Sequence, residues 1–313
     1  MKILLAGGAG EVGRHLTASF CEWGHHVVVL DRPEKVSTLK QDYNLSIIQS
    51  DLTDPEVLKE GLSDCDVVVN LAWSFAEDPR ELFSGDIVGH INLMDAAATA
   101  QVKRYIYIST AAVYGTPQGQ PVVEKQICLP EQARKPMYGV AKYTAEKLSL
   151  AVCRQYGVPI TIFRFWWAFG DTIGGNNLRQ LIRKAIEGEP LRVAAGAGGT
   201  FLAMTDLAAA IELATVNPKT IGETYNLGSL FLTWQEIGAS IIECVKSRSP
   251  LTIERAKPWP GPVFLGETWD ICWEKAEQEI GYRPLLDPKN ARAAFNRALA
   301  RCVDGVKKRD LNG

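Results

Sequence analysis

The sequence has no apolar run approaching the roughly 18 residues that a membrane span needs, so no segment is expected to cross a bilayer. It has no excess of one charge either. Lys and Arg number 34 against 36 Asp and Glu, a net charge of −2, and the two signs are interspersed. That excludes a basic face for nucleic acid and an acidic tail. Histidine is scarce: His15, His25, His26 and His90 offer no ligand spacing. The seven cysteines are odd in number, scattered and never arranged C-x-x-C, which argues against a zinc site or a disulfide framework. No metal is expected. No repeat or low-complexity tract is present, and the N-terminus enters an apolar run without a charged-then-apolar leader, so a cytoplasmic location is expected.

At 313 residues the chain suits one large α/β unit or two joined lobes, with roughly three quarters of its unfolded surface buried. The stretch Lys2-Ile3-Leu4-Leu5-Ala6 followed by Gly7, Gly8, Gly10 and Gly13 reads as a strand, a tight turn and a helix start. Two spacings fit a dinucleotide fingerprint, Gly8-x-Gly10-x-x-Gly13 and Gly7-x-x-Gly10-x-x-Gly13. In both, the missing Cβ atoms let the backbone approach a pyrophosphate while the N–H groups of the helix start attract its charge. A second apolar run, His26 to Leu30, ends at Asp31, where the fingerprint wants a carboxylate for the adenosine ribose. Ser46 to Gln49 leads to Asp51, which either caps its turn or points toward the adenine; Asp54-Pro55 then opens a helix. Asp66 to Ala72 completes a βαβαβ pattern. Residues expected to touch the dinucleotide are Gly7, Gly10, Glu11, Val12, Gly13, Asp31, Arg32, Asp51, Leu52, Leu71, Ala72, Trp73 and Ile108, all in the loop or at strand ends.

Residues 81–100 read as one helix with Ile87, Ile91, Met94 and Ala98 along a stripe, suited to core or dimer contact. The run Arg104 to Ile108 delivers Ser109-Thr110-Ala111-Ala112-Val113-Tyr114-Gly115 to the same sheet edge. Pro136 starts a helix that places Tyr138 and Lys142 one turn apart on one face. A phenol with a pKa of ~10 is a poor proton shuttle at pH 7, and a lysine cation beside it would bring that value down.

Gly7-x-x-Gly10-x-x-Gly13, Ser109-Thr110-x-x-Val113-Tyr114-Gly115 and Tyr138-x-x-x-Lys142, together and in this order, resemble the extended short-chain dehydrogenase/reductases, the NAD-dependent epimerase/dehydratase family. The resemblance is strong to about Arg164 and looser beyond. It implies Tyr138 as catalytic acid/base, Lys142 as the ribose-binding residue that lowers the tyrosine pKa, and Thr110 as the hydroxyl that orients the substrate oxygen. It also implies NAD, with NADP disfavoured by the carboxylate of Asp31 although Arg32 stands next to it.

Several positions depart from the family pattern. The dehydratases' acidic pair is replaced by Ala111 and Ala112, which argues against dehydration. Trp167 stands where nucleotide-sugar epimerases have an asparagine for the substrate diphosphate, and the stretch Gly196 to Asp206 has no arginine where those enzymes have one. Asp86 stands where the family often has asparagine.

Trp73, Thr110, Ala111, Ala112, Trp166 and Trp167 are the expected substrate contacts; the two adjacent tryptophans offer an aromatic wall for an apolar ring or sugar face. The fold expected is a Rossmann-type doubly wound parallel sheet, residues 1–165 rejoined by about 204–230. A smaller, mainly helical substrate lobe takes 166–203 and 231–305, and 306–313 is a frayed tail. The function expected is hydride transfer between NAD and an alcohol or ketone carbon of a small sugar-like or aromatic substrate. A sugar epimerase and an inactive dinucleotide-sensing protein are the alternatives. A homodimer through the 81–100 helix and the Tyr/Lys helix is expected from the resemblance, with no nucleic-acid or membrane partner.

Overall fold

The computed structural model describes residues 1–37, 39, 42–256 and 258–310. Apolar runs form the first strands and glycine or capped turns separate them from helices: β1 (Lys2–Ala6), α1 (Glu11–Glu22), β2 (His26–Asp31), α2 (Pro33–Val36), β3 (Leu45–Gln49), α3 (Pro55–Gly61) and β4 (Val67–Asn70). The Asp54 carboxylate accepts from the Val57 N–H at 3.3 Å, so α3 begins with the cap and first-turn proline that the sequence offers. Residues 81–100 are not one regular helix. A short α4 (Pro79–Glu81) runs into a π-helical turn, Leu82–Ile87, before α5 (Val88–Thr99). β5 (Arg104–Ile108), α6 (Pro136–Tyr156) and β6 (Ile160–Arg164) follow, with 3-10 turns at Ala111–Tyr114 and Pro130–Gln132 between the first two.

The second half contains β7 (Trp167–Phe169), α7 (Asn176–Ile186), β8 (Leu191–Ala194), β9 (Gly198–Ala203), α8 (Met204–Val216) and β10 (Thr224–Asn226). It continues with β11 (Leu230–Thr233), α9 (Trp234–Val245), β12 (Leu251–Glu254), β13 (Thr268–Trp269), α10 (Glu274–Ile280) and α11 (Pro288–Asp310). Seven strands form one sheet in the order β10-β6-β5-β4-β1-β2-β3, every neighbour parallel. This is the Rossmann-type arrangement, and β10 lies within the 204–230 segment expected to rejoin the sheet. The order reverses between β1 and β4, which opens a crevice at their carboxyl ends.

Because a parallel sheet is covered on both faces, its strands are apolar on both. Leu5, Val27, Val29, Phe163 and Tyr225 pack with Leu16 and Phe20 of α1 and Leu207 and Ile211 of α8. On the other face Leu4, Val28, Val68 and Ile162 meet Leu58 of α3, Leu93 and Met94 of α5, and Ala141 and Ala145 of α6. The lobe is mostly helical, α7, α9 and α11. It is also built around a sheet of β11, β9 and β13, with β7 on β9, and a separate pair β12-β8, which the sequence did not disclose.

Two boundaries are corrected. α10 lies within the 231–305 segment assigned to the lobe, yet its Ala276 and Ile280, with Tyr282, join the main sheet's core. Residues 306–310 are not frayed: α11 runs to Asp310 and Val306 is 2% exposed in the lobe core. The remaining residues of that tail, 311–313, lie outside the described residues. Among the described residues no helix is long and apolar enough to cross a membrane, and no group of three or more His, Cys, Asp or Glu is placed to hold a metal.

Candidate active site

The glycine turn closes the crevice between β1 and β4. Gly7 has φ +81°, and a Cβ there would fall 2.8 Å from the Ala72 backbone nitrogen. A Cβ on Gly13 would fall 2.2 Å from the Gly7 carbonyl oxygen, so α1 can approach β1 only with glycine at that position. Gly10 caps α1 without a side chain, which leaves the first N–H groups of the helix for an incoming anion. The Asp31 carboxylate is anchored on this turn, accepting from the Ala9 N–H at 3.0 Å and the Arg32 N–H at 2.9 Å. Arg32 itself turns onto Glu34, 3.2 Å away. A cradle in which a Cβ would collide with backbone, beside an open helix start and an anchored carboxylate, fits a dinucleotide.

The other expected cofactor contacts divide. Val12 and Leu71 pack on one core and Ala72 and Trp73 on the other, all partly exposed at the crevice. The Glu11 carboxylate lies against Gly174, where a Cβ would come 2.6 Å from its oxygen. Asp51 accepts from the Thr53 N–H at 2.7 Å and from the Thr53 hydroxyl, which caps its turn. Leu52 is buried, and its carbonyl accepts from Asn92 Nδ2 at 3.0 Å.

Thr110, Tyr138 and Lys142 come together at the ends of β5 and α6. The Tyr138 hydroxyl faces the Thr110 side chain, whose oxygen accepts from the Ala112 N–H at 3.2 Å. Lys142 is 4% exposed; its ammonium donates to the Ile108 carbonyl at 3.0 Å and lies 4.0 Å from the centre of the Trp73 ring and 4.9 Å from that of Tyr107. Burial lowers the Lys142 pKa to about 7, against the pull of Asp86 and Glu146.

The expectation that Lys142 depresses the tyrosine is corrected. Burial raises the Tyr138 pKa to about 12, opposed by the Thr110 side chain and reinforced by Asp86. The lysine cation is committed to a carbonyl and two ring faces instead. Trp73 meets Tyr138 edge-on at 6.1 Å between ring centroids, and Phe75 stacks on it at 5.4 Å. Asp86, set in the π turn, ties this loop down: it accepts from the Ser74 N–H at 2.8 Å and the Ser74 hydroxyl at 2.7 Å.

Beneath the pair, Arg164 donates to Glu146 through Nε at 2.8 Å and through its terminal nitrogen at 2.5 Å, and Ser109 donates to the same carboxylate at 2.5 Å. Beside them His90 is fully buried. Its Nε2 faces the Ser149 hydroxyl at 2.8 Å, and because that hydroxyl donates to the Ala145 carbonyl, the imidazole supplies the proton and its Nδ1 accepts from Asn70 at 2.9 Å. Burial and Lys142 push its pKa down to about 3, so it is a neutral structural group.

Above the pair opens a cleft of about 470 Å³. Thr110, Ala112, Tyr138, Trp166 and Trp167, all expected, line it. Ala111 does not: it is 1% exposed under the turn, its N–H donating to the Phe165 carbonyl at 2.8 Å. Trp166 lies on Gly199, where a Cβ would come 2.1 Å from the indole. Trp167 stacks on Phe201 and donates through Nε1 to the Gly174 carbonyl at 2.7 Å. Phe75, Arg134, Lys135, Phe264, Glu267 and Trp269 also line the cleft and were missed. Only Arg134 and Lys135 carried a readable signal, because they immediately precede the helix that bears Tyr138.

The sequence matches the model of the NAD dependent epimerase/dehydratase family over residues 3–228. A UDP-glucose 4-epimerase of Corynebacterium glutamicum is 27% identical over 310 residues, 91% of each chain. Among solved structures, a UDP-glucuronic acid 4-epimerase from Bacillus cereus in complex with NAD superposes with TM-score 0.77 at 23% identity, covering 98% of this chain and 99% of that one. The dTDP-glucose 4,6-dehydratase of Streptomyces venezuelae, solved with NAD, gives TM-score 0.77 at 22% identity and 98% and 97% coverage. Matched over residues 3–228, and with the glycine cradle, the anchored Asp31 and the Tyr138/Lys142 pair gathered along one edge of the main sheet, the chain belongs to the NAD-dependent epimerase/dehydratase family.

Proposed function

We propose that this enzyme transfers hydride between NAD and an alcohol or ketone carbon of a small, ring-shaped substrate, sugar-like or aromatic. The observation that carries this reading is that Thr110 and Tyr138 line one cleft together with Trp166 and Trp167. Gly7 to Gly13 would hold the pyrophosphate, Asp31 the adenosine ribose and Lys142 the nicotinamide ribose. Bound NAD would supply the hydride acceptor or donor; the remaining work falls to the protein.

With its pKa near 12 the Tyr138 hydroxyl is neutral at pH 7, so it donates a proton to a carbonyl oxygen in the direction of reduction. In oxidation it must receive the alcohol proton as a phenolate, a state that burial and Asp86 oppose in the ligand-free site. Thr110 shares the same substrate oxygen. Ala112 brings no acid to the cleft, which supports oxidation and reduction over elimination of water.

A sugar epimerase using the same residues for transient oxidation is the second reading, favoured by the UDP-glucose 4-epimerase aligned along nearly the full length. Tyr138→Phe should lower turnover by about 10²- to 10⁴-fold while NAD affinity holds. The check is NADH absorbance and product analysis on a panel of UDP-sugars, free sugars and aryl alcohols. Turnover unchanged in the variant would remove Tyr138 from the chemistry. Net NADH formation separates the dehydrogenase from an epimerase, which would retain stoichiometric NAD through purification.

A further inference from the structure

The charged residues lining the cleft are Arg134, Lys135 and Glu267. Glu267 is engaged, accepting from Trp269 Nε1 at 3.1 Å. The two cations are not: among the described residues neither has an ion-pair partner. The guanidinium of Arg134 stands 5.8 Å over the Phe264 ring, which holds it at the cleft from the lobe side.

Both cations leave from a braced edge. A Cβ on Gly139 would fall 2.7 Å from the Pro130 carbonyl and 3.1 Å from the Ala133 Cβ, so the turn before Arg134 is packed hard onto α6. The first turn of α6 contains no acidic residue to answer them. The two tryptophans in the lining are of another kind: Trp166 fills the space over Gly199, and the one polar atom of the Trp167 indole is already bonded to Gly174. The two tryptophans therefore offer stacking surface, and Arg134 and Lys135 offer two adjacent like charges whose repulsion an anion would relieve.

Resting on the oxidoreductase reading above, we propose that Arg134 and Lys135 form an anion subsite. The substrate carries an acidic group, carboxylate or phosphate, that these two residues hold three and four positions before Tyr138, while its ring lies against Trp166 and Trp167. The anion is thus gripped from the head of the catalytic helix. The wall at Trp167, where nucleotide-sugar epimerases would place a diphosphate contact, takes the ring.

The test is binding to the NAD-saturated protein, followed by tryptophan fluorescence, with phenylacetate, phenyl phosphate, the neutral phenylacetamide and UDP-glucose as probes. Wild type and Arg134→Gln/Lys135→Gln are compared, with thermal midpoint and NAD affinity confirming that the double variant is folded. A charged probe should bind about tenfold more tightly than phenylacetamide, and the double variant should lose most of that preference. Preference for phenylacetate assigns a carboxylate and preference for phenyl phosphate a phosphate. UDP-glucose binding that falls with the same substitutions places a diphosphate in the subsite. Equal binding of charged and neutral rings, a preference that survives the double substitution, or no binding of either anion overturns the proposal. Tyr138→Phe separates the two readings, because loss of the hydride-transfer reading would leave the anion preference of that variant intact, and loss of the subsite would leave the effect of Tyr138→Phe on turnover intact.

Discussion

Lys142 is a lysine held where an ammonium is poorly solvated, and its ionisation should be visible in the stability of the NAD-free protein. Its pKa falls to about 7 in the fold, against ~10.4 in an unfolded chain. Between those values the unfolded state binds more protons than the native one, so this residue's contribution makes stability rise with pH; below pH 7 both states are charged and the penalty is at its full size. Lys142→Met should therefore be more stable than wild type at pH 6, with the gap closing toward pH 10, as urea titrations at a series of pH values would measure. A gap independent of pH would mean that the site solvates the ammonium. Tyr138, Lys142, Thr110 and Asp31 were legible because each is fixed by its own short motif. Trp166 and Trp167 were read as an aromatic wall, and Arg134 was missed. What they do depends on Phe264 and Gly199, 130 and 33 residues further along the chain, and no local pattern announces a partner that distant.

The elements of the first half could be read because each strand is a continuous apolar run and each helix has its cap or glycine. The π turn at Leu82–Ile87 could not: one extra residue in a turn leaves the apolar spacing nearly unchanged, yet it sets Asp86 against Ser74 and so fixes the loop that carries Trp73 and Phe75. Two of the lobe strands escaped notice because β7 has three residues and β13 two, too few for an alternation to show, and β9, with six, opens on two glycines. The tightest joint between elements is that of β1 and α1. Gly13→Ala would set a methyl 2.2 Å from the Gly7 carbonyl, so α1 must back away, at a cost of about 1–3 kcal/mol in stability. NAD affinity should drop further than stability, since the displaced helix start is the anion cradle itself. Calorimetry and NAD titration of the variant measure the two losses, and an unchanged NAD affinity would show that the pyrophosphate does not rest on this turn.

At the scale of the molecule, body and lobe are interleaved. The chain leaves the main sheet after β6, returns with α8 and β10, leaves again with β11 and returns with α10. Neither part is a continuous segment that could fold alone, so heating should give one calorimetric transition, raised by NAD through preferential binding to the native state. Two transitions, only one of them moved by NAD, would show that the lobe unfolds independently. The same interleaving sets a timetable for synthesis. When β6 leaves the ribosome its outer edge has no neighbour, and it stays open until Thr224–Asn226 arrives with β10, some sixty residues later. One face of the sheet still lacks Ala276, Ile280 and Tyr282 at that point. The nascent chain therefore carries an unfinished sheet through most of its translation, and the first strand made waits for nearly the last helix before its core is closed.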